Sequence, residues 1–172
     1  MNERISKTFL VAAVAAFMAL VVANNVTDYG SNFQFVRHVL MMDTTFPGNR
    51  LRWRALEAPW IHHAFYVLII AWEAASAVLA GMAARHLWRA RAAAEGAWEQ
   101  ARQFAAAALT VNLLLWFGAF LLVGGEWFVM WQSETWNGQD SAFRMFAVVG
   151  LILVFVRLPE SPPAPALVPT DT

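Results

Sequence analysis

The sequence predicts an all-α fold: a membrane bundle of four transmembrane helices with a long structured first extracytoplasmic loop. Of the 172 residues, 59% are hydrophobic and 14% are charged, whereas about a quarter of the residues in a soluble domain are charged. Four segments meet or approach the roughly 20 apolar residues that cross about 30 Å of hydrocarbon. The chain also has nine tryptophans, a residue that favours the boundary between membrane and water.

The predicted transmembrane domain covers residues 1–158. Its spans are about residues 5–25, 62–84, 103–127 and 141–158. The apolar core of the first span, 9–23, is unbroken, and few polar residues interrupt the cores of the other three: Glu73 and Ser76 in 64–84, Thr110 and Asn112 in 104–123, and Arg144 near the start of 142–158. The remaining tail, 159–172, is rich in Pro, Ala and Thr, so we expect it to be disordered.

The first span has an alternative interpretation as a cleaved signal peptide. Arg4 and Lys7 give it a positive start, and the small residues around Ala23 could form a cleavage site. We favour an uncleaved anchor because the apolar stretch, with its flanks, is long enough to span a bilayer.

The distribution of Lys and Arg predicts that both termini are cytoplasmic. Seven of these residues flank the N-terminus, the second loop and the tail: Arg4, Lys7, Arg85, Arg89, Arg91, Arg102 and Arg157. The first loop has four, Arg37, Arg50, Arg52 and Arg54, and the third loop has none. Because cytoplasmic loops carry an excess of Lys and Arg, this asymmetry favours both termini inside.

The first two loops are expected to contain helix. In the first loop, residues 31–42 have apolar positions at helical spacing, with Ser31 as a cap, and Pro47-Gly48-Asn49 predicts a turn. The second loop, 85–103, is rich in Ala, Arg and Glu, which extend helices. We therefore expect the second and third spans to form a hairpin that turns near Glu95-Gly96.

Composition excludes several classes of function. The chain has no cysteine and a formal net charge of zero, which excludes disulfides, thiolate metal sites and thiol catalysis and gives no basic face for nucleic acid. Histidine can bind copper or haem, but neither His38 nor the adjacent His62-His63 pair has a diagnostic spacing. With no recognisable catalytic motif, we expect no enzymatic activity, cofactor or metal.

Glu73 is the most unusual residue for its position, about ten residues into the second span. A carboxylate near the bilayer centre costs several kcal/mol unless it is paired, protonated or hydrated. Glu73 is therefore either a proton or cation site, or a neutral glutamic acid that fixes helix packing. Asn112, at a matching depth in the antiparallel third span, is its predicted hydrogen-bond partner.

Arg144 lies a few residues inside the fourth span and can extend its charge towards water. A structural salt bridge at the mouth of the bundle is the favoured interpretation, and an anion site is the alternative. The candidate partners are Glu126, Glu134 and Asp140.

The stretch from Gly124 to Arg144 is dense in aromatic and polar residues. Its tryptophans, Trp127, Trp131 and Trp136, are expected to anchor this rim in the interface. Asn137-Gly138 predicts a tight turn before the fourth span. The functional alternative is a rim that binds a partner or ligand.

The same stretch resembles the signature of a bacterial family of predicted small integral membrane proteins, number 2165 among the domains of unknown function. The resemblance rests on GGEWFVMWQS, WNGQ and AFR, on NFQFVRHVLMMDTT, and on Trp53-Arg54 and Trp72-Glu73. It covers about residues 5–158 and implies four spans and a bacterial inner membrane, but no established activity. It leaves these positions as candidates without roles: Glu73, Glu126, Trp127, Trp131, Trp136, Asn137, Gln139 and Arg144.

These observations leave two hypotheses for function. The favoured one is a non-enzymatic accessory or structural subunit of a membrane complex, because the chain is small and has aromatic rims but no reaction machinery. The alternative is a small oligomeric transporter or channel that uses Glu73 as its proton or cation site. The expected partners are the lipid bilayer and either another membrane protein or further copies of the chain.

Overall fold

The computed structural model describes residues 2–160, and every regular element in that range is helical. The helices are α1 (Glu3–Thr27), α2 (Tyr29–Met41), α3 (Pro59–Ala90), α4 (Glu95–Leu114, continued as a π-helix over Leu115–Trp127) and α5 (Gln139–Arg157). Four of them, α1, α3, α4 with its continuation and α5, are long and apolar enough to cross a membrane. The predicted all-α bundle of four spans is confirmed. The expectation of a disordered tail lies, from residue 161 onwards, outside the described residues.

α1 packs along α3, and these two helices form the most extensive helix pair among the described residues. Asn2 caps the N-terminus of α1, because its Oδ1 accepts a hydrogen bond from the Arg4 backbone N–H at 3.0 Å. Further along, Val11 and Met18 are fully buried in the same apolar cluster as Ala80 and Ala83 of α3. Small residues such as these alanines let membrane helices approach closely.

α2 lies against the first half of α3. It is the helix that the sequence predicted in the first loop, between the first and second spans. Its buried Val36, Val39 and Leu40 form a second apolar cluster with Tyr66 of α3. The helix begins two residues before the predicted start, and Ser31 lies inside it, donating to Asp28 Oδ2 at 2.7 Å.

The hairpin between α3 and α4 turns slightly earlier than predicted. α3 ends at Ala90, and α4 already begins at Glu95, so the turn occupies residues 91–94. Arg4 of α1 holds this turn by donating to the Ala93 carbonyl oxygen at 3.1 Å and by pairing with Glu95.

The continuation of α4 is wound more widely than an α-helix. It ends with a hydrogen bond from the Phe128 N–H to the Val123 carbonyl oxygen at 3.0 Å, the i to i+5 spacing of a π-helix. The chain then turns sharply at Val129, whose φ of 46° is left-handed. This bend allows Met130 to approach Gly124, where an added Cβ would lie 3.3 Å from the Met130 sulfur.

A charged cluster joins the start of α1 to Glu160, the last residue that the structure describes. The Lys7 ammonium, on a fully buried side chain, donates to Glu160 Oε1 at 2.9 Å and to the Leu158 carbonyl oxygen at 2.5 Å. Trp98 Nε1 donates to the same carboxylate oxygen at 2.8 Å, and the Arg102 guanidinium lies 3.9 Å from it. Burial raises the pKa of the Glu160 carboxyl, but hydrogen bonds from Lys7 and Trp98, with the charges of Lys7 and Arg102, outweigh that effect and hold the pKa below its usual value.

Candidate functional site

Glu73 is buried, 3% exposed, on the face of α3 that meets α1 and α2. Its Oε2 accepts a hydrogen bond of 2.6 Å from Asn25 Nδ2 near the end of α1. Asn25 Oδ1 in turn accepts from Asn32 Nδ2 of α2 at 2.5 Å, and the Asn25 carbonyl oxygen accepts from the Tyr66 hydroxyl at 3.4 Å. A chain of polar groups from three helices therefore ends on the carboxylate.

The predicted pairing of Glu73 with Asn112 is wrong. Asn112 is fully buried, but its Oδ1 accepts from Trp116 Nε1, one turn along its own helix, at 3.0 Å. Its Nδ2 makes no hydrogen bond within the described residues. Matching depth placed the two residues at one level of the bundle, but the rotation of each helix decides which side chains face each other, and α1 supplies the partner of Glu73 instead.

A cavity of about 180 Å³ adjoins Glu73. Its polar lining is Glu73 together with Asn25, Asn32 and Tyr66, and Trp116 and apolar side chains complete its walls. Among residues 2–160, which the structure describes, no Lys, Arg or His lines this cavity. Nothing in the wall of this cavity can therefore neutralise a Glu73 carboxylate by an ion pair.

A second, larger cavity of about 390 Å³ lies between α2, α3 and the π-helical continuation of α4. Its lining is apolar throughout, from Val36 and Leu40 of α2 to Trp72 of α3 and Phe120 of the π-helix. The wider winding over Leu115–Trp127 contributes six of the lining residues: Gly118, Ala119, Phe120, Leu122, Val123 and Gly124. Segments of π-helix are frequent at functional sites, and here the segment forms one wall of a cavity.

The sequence of α3 contains a polar pattern that signals this site. On α3 the buried polar residues His62, Tyr66, Glu73 and Ser76 are separated by four, seven and three positions. These intervals place side chains on one face of a helix. A polar face inside a predicted membrane span indicates that the face is turned to the bundle interior, and it points to Tyr66 as a member of the site.

The aromatic rim from Gly124 to Arg144 divides into exposed and packed members. Trp127 and Trp131 are nearly half exposed, at 48% and 45%, whereas the Trp136 ring stacks on His38 of α2 at 4.8 Å. Glu126 is exposed.

The remaining rim residues build the start of α5. Asn137 Oδ1 accepts from the Gln139 N–H at 3.1 Å, a local turn just before α5. Gln139 packs against Gly125, where an added Cβ would lie 2.5 Å from the Gln139 Nε2. The structure thus gives Asn137 and Gln139 packing contacts at the junction of two helices and does not bring them to the Glu73 cavity.

Arg144 does not form the predicted salt bridge with Glu126, Glu134 or Asp140. Its side chain is exposed and donates to Ser141 Oγ at 3.0 Å, one turn back on α5. An exposed arginine near a helix end can reach water along its own helix, so it has no need of a carboxylate from another loop.

Comparison with known proteins identifies one family. The family that matches residues 3–159 is described as "Predicted small integral membrane protein (DUF2165)", which confirms the resemblance inferred from the sequence. No curated protein and no solved structure matches the chain.

Proposed function

We propose that this chain is a non-enzymatic transporter with Glu73 as its proton or cation site. It belongs to the family of predicted small integral membrane proteins (DUF2165), and the proposal concerns how such a protein acts. The observation that carries the proposal is the placement of Glu73, which is 3% exposed and lines a cavity to which the described part of the chain contributes no cationic side chain. Four helices of this length are few to enclose a pathway, so the transporting unit is an oligomer.

The physical argument concerns the charge of Glu73. An ionised carboxylate within a membrane span costs several kcal/mol unless a partner compensates it. Asn25 contributes one neutral hydrogen bond, which stabilises the carboxylate but leaves its charge. The cavity can admit the missing positive charge as a proton or as a small cation, and the oxygens of Glu73 and Asn32 are ligands that hard cations accept.

We expect Glu73→Gln to reduce proton or cation flux at least tenfold in proteoliposomes, because the amide keeps the shape of the side chain but can neither release a proton nor bind a cation by charge. Flux is measured with a pH-sensitive dye under an imposed gradient, and separately with Na⁺ and K⁺. Glu126→Gln is the matched control, since it removes an exposed carboxylate outside the cavity and should leave flux unchanged. Wild-type protein without flux, or Glu73→Gln protein with full flux, would overturn the proposal.

An accessory or structural subunit is the second candidate, and one observation favours it. The core between Glu73 and the buried Lys7 at the other end is mainly apolar, with Val11, Met18 and Leu87 fully buried there. Transport therefore requires these helices to rearrange, whereas a subunit that packs in a larger complex does not. The flux measurement separates the two candidates.

We also propose that the end of the bundle that contains Lys7 and Glu160 faces the cytoplasm of a bacterial inner membrane, as the Lys and Arg distribution predicts. Because the chain has no cysteine, single-cysteine variants can report the orientation. Pro47 is exposed in the first loop, and Gly96 is exposed in the first turn of α4, next to the α3–α4 turn. We expect a membrane-impermeant maleimide to label Pro47→Cys in spheroplasts and Gly96→Cys only after lysis. The reverse pattern would contradict this orientation.

A further inference from the structure

The polar cavity and the apolar cavity are neighbours that share a wall. Four residues line both of them: Phe35, Val36, Ile69 and Phe120. One layer of side chains therefore separates the space beside Glu73 from an apolar space of about 390 Å³, which lies within the size range of small-molecule sites.

The apolar cavity reaches the lateral surface of the bundle. Leu68 of α3 and Leu122 of the π-helix both line it, and they are 60% and 54% exposed. Both belong to helices that are long and apolar enough to span a membrane, so the surface around this opening faces lipid. A ligand that is dissolved in the bilayer can reach the cavity without passing through water.

We propose that the two cavities become one binding site for an amphiphilic organic cation when the side chains of the shared wall move apart, with the ammonium group beside Glu73 and the hydrocarbon chain in the apolar cavity. The proposal rests on the function proposed above and names the class of cation.

Charge complementarity selects this class of ligand over its alternatives. Glu73 is the only charged side chain among the residues that line the two cavities. An anionic amphiphile would bring a second negative charge to Glu73, which is unfavourable at low dielectric. A neutral chain would fill the apolar space but leave the carboxylate uncompensated. A protonated amine with a hydrocarbon chain satisfies both spaces at once.

The test compares three probes of equal chain length: n-octylammonium, n-octanol and n-octanoate. Saturable binding of radiolabelled n-octylammonium to the purified protein in detergent is measured, and the other two serve as competitors. We expect n-octylammonium to bind at least tenfold more tightly than either. Equal binding of all three would show that the cavity holds any eight-carbon chain regardless of its charge and would overturn the proposal.

Two variants test the two halves of the site. Glu73→Gln should abolish the preference for the cation over n-octanol. Gly118→Leu should weaken binding of n-octylammonium at least tenfold, because Gly118 lines the apolar cavity and an added Cβ has nothing within 4 Å, so the new side chain can occupy the space. Gly81→Leu is the matched control on the exposed face of α3, with equally open space, and should bind as the wild type does.

Thermal unfolding without ligand establishes that each variant is folded before binding is compared. If Gly118→Leu is folded and binds n-octylammonium normally, the apolar cavity is not the site of the chain and the proposal is wrong. Failure of the amphiphile proposal can be distinguished from failure of the proposed transport function. Proton or Na⁺ flux that depends on Glu73, without saturable n-octylammonium binding, would refute only the amphiphile site.

Discussion

Replacing Glu160 by Gln is expected to lower the free energy of unfolding by about 2–3 kcal/mol. The reason is the fully buried Lys7, whose ammonium lies 2.9 Å from the Glu160 carboxylate. The amide of Gln keeps an acceptor oxygen but removes the negative charge, so a buried ammonium loses a counter-ion. The effect falls short of a completely buried pair because the Glu160 side chain is 17% exposed.

Glu99→Gln is the matched control at the same end of the bundle. Glu99 pairs with Arg102 across one turn of α4 and its side chain is 38% exposed, so its removal should cost about 0–1 kcal/mol. Unfolding of both variants in detergent, followed by tryptophan fluorescence, measures the difference. Equal stability of the two variants would show that the Lys7–Glu160 pair does not stabilise this end of the bundle.

The contribution of Glu160 should also depend on pH. Its folded-state pKa lies below the ordinary value of 4.5, so the carboxylate stabilises the protein above that value. This stability is lost as the pH falls through the folded-state pKa, because protonation removes the charge that Lys7 needs. The difference between wild type and Glu160→Gln should therefore shrink below about pH 4.5 and stay constant near neutral pH. A difference that is unchanged at low pH would contradict the ion-pair explanation.

Replacing Asn25 by Ala is expected to lower the free energy of unfolding by about 1–3 kcal/mol, the cost of leaving buried polar groups without partners. Asn25 is 5% exposed and connects two helices to α1, since it donates to Glu73 and accepts from Asn32. Its loss removes both hydrogen bonds. Asn24→Ala, the neighbouring but exposed position, is the control and should change stability by less than about 0.5 kcal/mol.

A double-mutant cycle isolates the part of this effect that belongs to Glu73. If the Asn25–Glu73 hydrogen bond is responsible, Asn25→Ala should cost less in a Glu73→Ala background, with a coupling energy of about 0.5–3 kcal/mol. Additive effects of the two substitutions would show that Asn25 stabilises the protein through other contacts.

Whatever depends on local composition could be predicted from the sequence. A span is recognised by the apolar length that crosses hydrocarbon, and this length is a property of consecutive residues, so the four helices were found. The structured first loop was predicted for the same reason, because its apolar residues recur at helical spacing. Glu73 was found because a carboxylate in a span is conspicuous without any knowledge of its neighbours.

The partners of these residues were beyond the sequence because they depend on the rotation and order of helices. Asn112 has the depth to meet Glu73 but faces Trp116 of its own helix, while Asn25, at the end of the first span, reaches the carboxylate. Arg144 likewise donates its hydrogen bond to Ser141, a residue of its own helix. Several polar residues lie at the same level of the bundle, and the rotation of each helix about its axis decides which of them face each other. Only the packing of the helices fixes that rotation.

The sequence by itself determined that this chain is a four-helix membrane bundle with a carboxylate in its interior, since both follow from where polar residues interrupt long apolar runs. Only the tertiary structure decided that the carboxylate lines a small cavity, which adjoins a larger apolar one. The larger cavity is bounded by the widely wound Leu115–Trp127 segment and by α2. Its volume depends on how far three helices stand apart, and no single segment encodes that distance.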